Sequence, residues 1–87
     1  MKNSFLEKIR RGEKPLGSFS ELCSPYSIEC MALSGLDYVI LDMEHGPAEL
    51  HDISEGIKAA AYHGMAPFVR IPSLARDAVL RPLDLGA

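Results

Sequence analysis

The side chains best equipped for chemistry stand close together. Asp42, Glu44 and His45 bring two carboxylates and an imidazole to the stretch Tyr38-Val39-Ile40-Leu41-Asp42-Met43-Glu44-His45-Gly46-Pro47. An imidazole titrates near neutral pH and so carries protons in either direction, while a carboxylate can orient it or balance a cation. The run before them, residues 38–41, is β-branched and apolar, the pattern of a parallel strand buried on both faces. Gly46-Pro47 then breaks the chain. In α/β folds chemistry is placed at the carboxyl ends of strands, which is where these three residues fall. A polar loop leading into a helix cap is the plain alternative. Arg70 sits just past Ala66-Pro67-Phe68-Val69, the matching place on another strand; a surface or salt-bridging arginine is its plain alternative.

Other combinations are weaker. Cys23, Cys30, His45, His51 and His63 match no compact zinc spacing, and His51 and His63 read as solvated helix residues. Ser18, Ser20 and Ser24 lack the Gly-x-Ser-x-Gly turn of a hydrolase. Cys23 and Cys30 read as reduced thiols, with Cys30 on the core side of a helix.

The elements that must position these groups follow from periodicity and punctuation. Residues 4–12 predict a first helix, with Ser4-Phe5-Leu6-Glu7 as a capping box, an apolar face of Phe5, Leu6 and Ile9, and a stop at Gly12. Residues 16–21 predict the first strand. Ser24-Pro25 then opens a helix, with Ile28, Met31, Ala32 and Leu33 on one side and Gly35 closing it. After the strand at 38–42 comes a helix with Leu50, Ile53, Ile57, Ala60 and Ala61 on one face, ended by Gly64. Residues 66–69 predict a third strand, with Pro67 tolerable near its start. Ser73 caps a last helix from Leu74, which Pro82 should break or kink. Leu83-Asp84-Leu85-Gly86-Ala87 looks like a helix stop leading into a further strand. Strand and helix alternating three times imply an α/β fold with a parallel sheet. Three such strands leave edges and apolar surface uncovered. Residues 1–87 therefore read as a single partial domain, the front of a larger one, with a complete three-layer domain as the lesser alternative.

Composition narrows the function. A chain 47% hydrophobic and 24% charged is globular rather than disordered. Its 87 residues hold one domain at most, with a marginal core if alone. A net charge of -3 leaves no electrostatic footprint for nucleic acid or an anionic membrane. No apolar run approaches the ~20 residues of a membrane span, and residues 1–15 are too charged for a signal peptide. The expected location is cytoplasmic.

Leu41-Asp42-Met43-Glu44-His45-Gly46-Pro47, Val69-Arg70-Ile71-Pro72 and Leu83-Asp84-Leu85-Gly86-Ala87 resemble, in order and spacing, the HpcH/HpaI aldolase family. These are metal-dependent pyruvate aldolases of the phosphoenolpyruvate/pyruvate superfamily, which cleave 4-hydroxy-2-oxo acids on (β/α)8 barrels. The resemblance implies the amino-terminal third of such a TIM-type barrel, with residues 4–12 covering its amino-terminal end and three βα units following. It implies that His45 is the catalytic histidine, moving protons in aldol cleavage and pyruvate enolisation. It implies that Asp84 pairs with that histidine, that Arg70 holds the keto oxygen and the enolate, and that Phe19 lies at the substrate mouth. Asp42 and Glu44 would lie near the metal's water. The implied cofactor is a divalent metal, Mg²⁺ or Mn²⁺, with its protein ligands expected beyond residue 87. The implied partners are a dicarboxylic or sugar-derived keto acid, pyruvate and an aldehyde, together with further copies of the chain in a homo-oligomer. On this reading the 87 residues carry half a site and are poorly active alone. The alternative is a non-catalytic barrel fragment that self-associates.

Overall fold

The computed structural model describes residues 3–87. Its order is α1 (Ser4–Arg10), β1 (Gly17–Ser20), α2 (Pro25–Leu33), β2 (Tyr38–Asp42), α3 (Leu50–Tyr62), β3 (Ala66–Arg70) and α4 (Arg76–Asp84). The strands form one parallel sheet in the order β1-β2-β3. The expected α/β fold, a helix followed by three βα units, is what the chain adopts.

Register explains how the two faces differ. Side chains alternate along a strand, so Val39 and Leu41 turn to the helices and are fully buried with Ile28, Ile53 and Ala60. The opposite face carries registered rows: Gly17, Tyr38 and Ala66, then Phe19, Ile40 and Phe68, then Asp42 beside Arg70. Tyr38 and Ile40 are only half-buried, so β2 is not buried on both faces as its composition predicts. The cover on that side comes from α1. Phe5 meets Tyr38 and Phe68 edge to face, with ring centroids 5.3 and 5.0 Å apart. Lys8 pairs with Asp37, which also accepts from the Leu16 amide at 2.9 Å. These bonds tie α1 to the start of the sheet. Gly17 is required there, because a Cβ would stand 2.4 Å from the Tyr38 ring.

Several local expectations are corrected. Asn3, not Ser4, caps α1, its side chain accepting from the Leu6 amide at 3.0 Å; Asn is an equally good cap one residue earlier. The helix ends at Arg10, with Gly12 at φ 78° beyond it. Cys30 is exposed and Cys23 is the buried thiol. Cys30 lies roughly 200° around the axis from Ile28, on the solvent side of α2. Leu33, and Ala61 on α3, are likewise exposed. The last helix starts at Arg76 rather than Leu74, with the Ser73 hydroxyl accepting from the Ala75 amide. Pro82 neither ends α4 nor lies at its surface. It removes one amide, but Leu85 N–H still reaches the Arg81 carbonyl at 3.2 Å and Ala87 N–H the Pro82 carbonyl at 3.1 Å. The ring is buried, which offsets the lost bond.

Candidate active site

The site begins with where β2 and β3 stop. Their last registered residues are Asp42 and Arg70, neighbours across the sheet on the face turned away from α2 and α3. Asp42 is fully buried. An ionised carboxylate in that position must be paired and hydrogen-bonded, and every donor it needs is supplied. Oδ1 accepts from Arg70 Nε at 3.1 Å and from the backbone amides of Glu44 at 2.9 Å and His45 at 3.0 Å. Oδ2 accepts from Arg70 Nη2 at 2.5 Å. The guanidinium bonds hold the Asp42 carboxyl well below the usual carboxylate range against the opposing effect of burial, and the two amides add to this. Reciprocally, Asp42 raises the Arg70 pKa further.

The two amide bonds make an aspartate turn that reverses the chain directly after the strand. Met43 N–H extends the ladder by one bond to the Arg70 carbonyl, 3.0 Å away. Gly46 lets this turn lie against the end of β1, since a Cβ there would stand 2.7 Å from the Glu21 carbonyl oxygen. That neighbouring corner is itself fixed. Ser20 Oγ accepts from the Cys23 amide at 3.1 Å, and Cys23 Sγ donates to the Ser20 carbonyl at 3.2 Å with Cys23 in the left-handed region. Burial pushes the Cys23 thiol pKa up, which keeps it protonated and inert.

His45 is carried at the outer edge of the turn, 59% exposed. Its Nε2 lies 3.4 Å from Glu44 Oε1 and its Nδ1 3.9 Å from Asp42 Oδ2. Glu44 Oε1 also stands 3.8 Å from Arg70 Nε. The Arg70 guanidinium carbon lies 4.7 Å over the Phe19 ring, a cation–π contact that fixes its plane. Among the described residues, Arg70 Nη1 makes no side-chain hydrogen bond.

Five of the six sequence-predicted residues therefore converge: Phe19, Asp42, Glu44, His45 and Arg70. The sixth, Asp84, is exposed at the end of α4 beside Leu50, His51 and Arg81, and its carboxylate makes no ion pair with His45 among the described residues. The carboxylates that approach His45 are Asp42 and Glu44. Arg70 is both a salt-bridging residue and a guanidinium presented to the open face. Sequence reasoning missed that Asp42 clamps Arg70, and it missed the close approach at Gly46. The signal for the first lay in opposite charges ending adjacent strands. Among the described residues, no three His, Cys, Asp or Glu side chains are grouped to hold a metal ion. With both Asp42 oxygens committed, these residues do not by themselves form a ligand set for a hard divalent cation.

The chain is similar to known proteins along most of its length. The profile of the HpcH/HpaI aldolase/citrate lyase family matches residues 16–87. A 2-keto-3-deoxy-L-rhamnonate aldolase of Escherichia coli (strain K12) is 30% identical over all 87 residues, which cover 33% of it. The crystal structure of an HpcH/HpaI aldolase from Desulfitobacterium hafniense DCB-2 superposes with a TM-score of 0.86 at 34% identity, over 94% of this chain and 32% of that one. The citrate synthase SbnG superposes with a TM-score of 0.88 at 30% identity, over 93% of this chain and 33% of the other. The chain spans about a third of the length of the curated relatives it matches.

Proposed function

Because the chain belongs to the HpcH/HpaI aldolase/citrate lyase family, we propose that its site serves carbon–carbon lyase chemistry on 4-hydroxy-2-oxo acids, by way of a pyruvate enolate. One observation carries the reading. A guanidinium held by a buried carboxylate faces the same open rim as an exposed imidazole, at the carboxyl ends of adjacent parallel strands.

The chemistry asks for two things that these residues supply. In aldol cleavage the 4-hydroxyl loses its proton, the bond between C3 and C4 breaks to release an aldehyde, and the electron pair passes to C3 and the 2-oxo oxygen. The resulting enolate takes a proton at C3 to become pyruvate. His45 is the group to accept the hydroxyl proton and to return one at C3, because an imidazole works in both directions near neutral pH. Arg70 is the group to receive the 2-oxo oxygen as its charge develops. Its guanidinium is held by Asp42 and Phe19, a fixed positive group suited to a developing oxyanion. That the chain is similar both to a named aldolase and to a named citrate synthase fits carbon–carbon bond chemistry in either direction. The divalent metal of the family resemblance is part of the proposal, with ligands from outside these 87 residues, and the chain alone is proposed to be poorly active.

Deuterium exchange of the pyruvate methyl group in D₂O with Mg²⁺, followed by proton NMR, tests this without knowledge of the aldehyde. We expect slow exchange above buffer that His45→Ala lowers by roughly two to four orders of magnitude, or to the buffer level. We also expect pyruvate to shift the Arg70 side-chain resonances. Absence of both effects would overturn the assignment.

A further inference from the structure

We propose that Asp42 is a positioning residue that couples the two working groups, so that the seating of Arg70 sets the conformation of the loop carrying His45. Three donors converge on one oxygen: Arg70 Nε at 3.1 Å, Glu44 N at 2.9 Å and His45 N at 3.0 Å all point at Asp42 Oδ1. The two amides belong to the loop directly after Asp42, whereas Arg70 lies 28 residues further along the chain from Asp42. The second oxygen is taken by Arg70 Nη2 at 2.5 Å.

A fully buried carboxylate cannot turn to water when a partner leaves. If Arg70 moves, the charge on Asp42 loses its counter-ion and must rotate or shift toward the remaining donors, which are the loop amides. If the loop opens, Oδ1 loses two of its three donors, and the guanidinium is the only partner left to follow. The adjoining contacts reinforce the link. Met43 N–H bonds the Arg70 carbonyl at 3.0 Å, and Gly46 rests against the Glu21 carbonyl. The loop therefore has little slack between its anchors. The depressed pKa of Asp42 fits a carboxylate that stays charged throughout. An anion pulling on Arg70 would thereby re-seat His45, and the oxyanion holder and the proton carrier would respond to one substrate together. The use of the two groups rests on the lyase reading; the coupling itself rests on geometry alone.

The test is made on the ¹⁵N-labelled 87-residue chain, without turnover. Arg70→Lys removes the two-pronged bond but keeps the charge. Although Arg70 touches neither amide, we expect the Glu44 and His45 amide resonances to move and their solvent exchange to rise at least threefold. In Asp42→Asn, Arg70 Nε–H exchange should rise about tenfold or more. Lys58→Gln, on the exposed side of α3 where its partner is Glu55, should leave the two amides unmoved. Unchanged Glu44 and His45 amides in Arg70→Lys would overturn the coupling, and this variant decides alone should Asp42→Asn fail to fold. Coupling with neither pyruvate exchange nor a pyruvate-induced shift at Arg70 would sink the lyase assignment and support this inference; exchange without coupling would do the reverse.

Discussion

Asp42 is the residue on which pH should act most visibly. Its carboxyl lies well below the ordinary range, chiefly through the Arg70 hydrogen bonds and then through the His45 and Glu44 amides. An aspartate in the unfolded chain takes up its proton near pH ~4, whereas the folded one holds out to lower pH. Between those two values the unfolded state binds more protons, so stability falls as the pH drops through that window and is fully present above it. Asp37, lowered by Lys8 and then by the Leu16 amide, acts with the same sign. Urea unfolding should therefore show a midpoint that declines from about pH 5 to about pH 3 in the parent chain. Asp42→Asn should start lower at pH 5 and decline less steeply, keeping only the part that Asp37 contributes. An equally steep decline in the variant would show that Asp42 titrates no differently folded and unfolded. The same residue shows what a sequence can and cannot reveal. That Asp42 ends a strand and precedes a turn is local, and is legible from an apolar run meeting Glu44, His45 and Gly46. That its partner is Arg70 depends on the register of two strands whose paired residues lie 28 positions apart, which no local pattern encodes.

At the level of elements, the strands and the central positions of the buried faces of α2 and α3 could be read in advance, although Cys30, Leu33 and Ala61, expected on those faces, are exposed. Their apolar spacing answers to one dominant demand, burial against the sheet. Ile28, Ile53, Ile57 and Ala60 follow it, and all are in the core. The misses fall where a second interaction competes. Pro82 is tolerated because the carbonyls around it are bonded from further along the chain. Asn3 caps α1 in place of Ser4 because either side chain satisfies the same orphan amides. Gly46 could not be read at all, since its need comes from another element. It is not among the residues with positive φ. Backbone strain therefore does not explain it, and the approach to Glu21 does. In Gly46→Ala the new Cβ meets a carbonyl oxygen at 2.7 Å that belongs to the backbone, so the β2–α3 turn must lift from the end of β1. We expect a loss of roughly 1–3 kcal/mol in urea unfolding, together with faster exchange of the His45 amide. Gly12, at φ 78° with open space around it, makes a useful contrast. There alanine would strain only the exit from α1 and leave the His45 amide untouched. Equal effects at His45 from both substitutions would show that the turn is not held by this contact.

The whole molecule is closely packed on one side only. Its radius of gyration of 12.4 Å is close to the ~12 Å expected of a compact domain this long, yet the core lies between the sheet and helices α2 and α3. The other sheet face has α1 at one end and is otherwise open, leaving Phe19 51% and Phe68 40% exposed. With the order β1-β2-β3, the outer edges of β1 and β3 carry backbone groups with no strand beside them among the described residues. In closed barrels such edges are abolished by further strands, and the relatives matched here are about three times as long as this chain. Apolar face and open edge occur on the same sheet, and each favours association with another chain. The 87-residue chain by itself should therefore self-associate. Light scattering at rising concentration is expected to give a mass well above the 9.5 kDa of one chain, with an apparent mass that grows with concentration. High salt should not disperse it, because burial and strand pairing drive it rather than ion pairs. A monodisperse monomer over a wide concentration range would mean that α1 and the polar rim suffice to protect the sheet. Asp84 stands exposed on α4 and makes no ion pair with His45 among the described residues. If association supplies the site with groups that one chain lacks, pyruvate exchange per chain should rise with concentration in step with the measured mass. A rate per chain independent of mass would confine the chemistry to the residues gathered around Asp42.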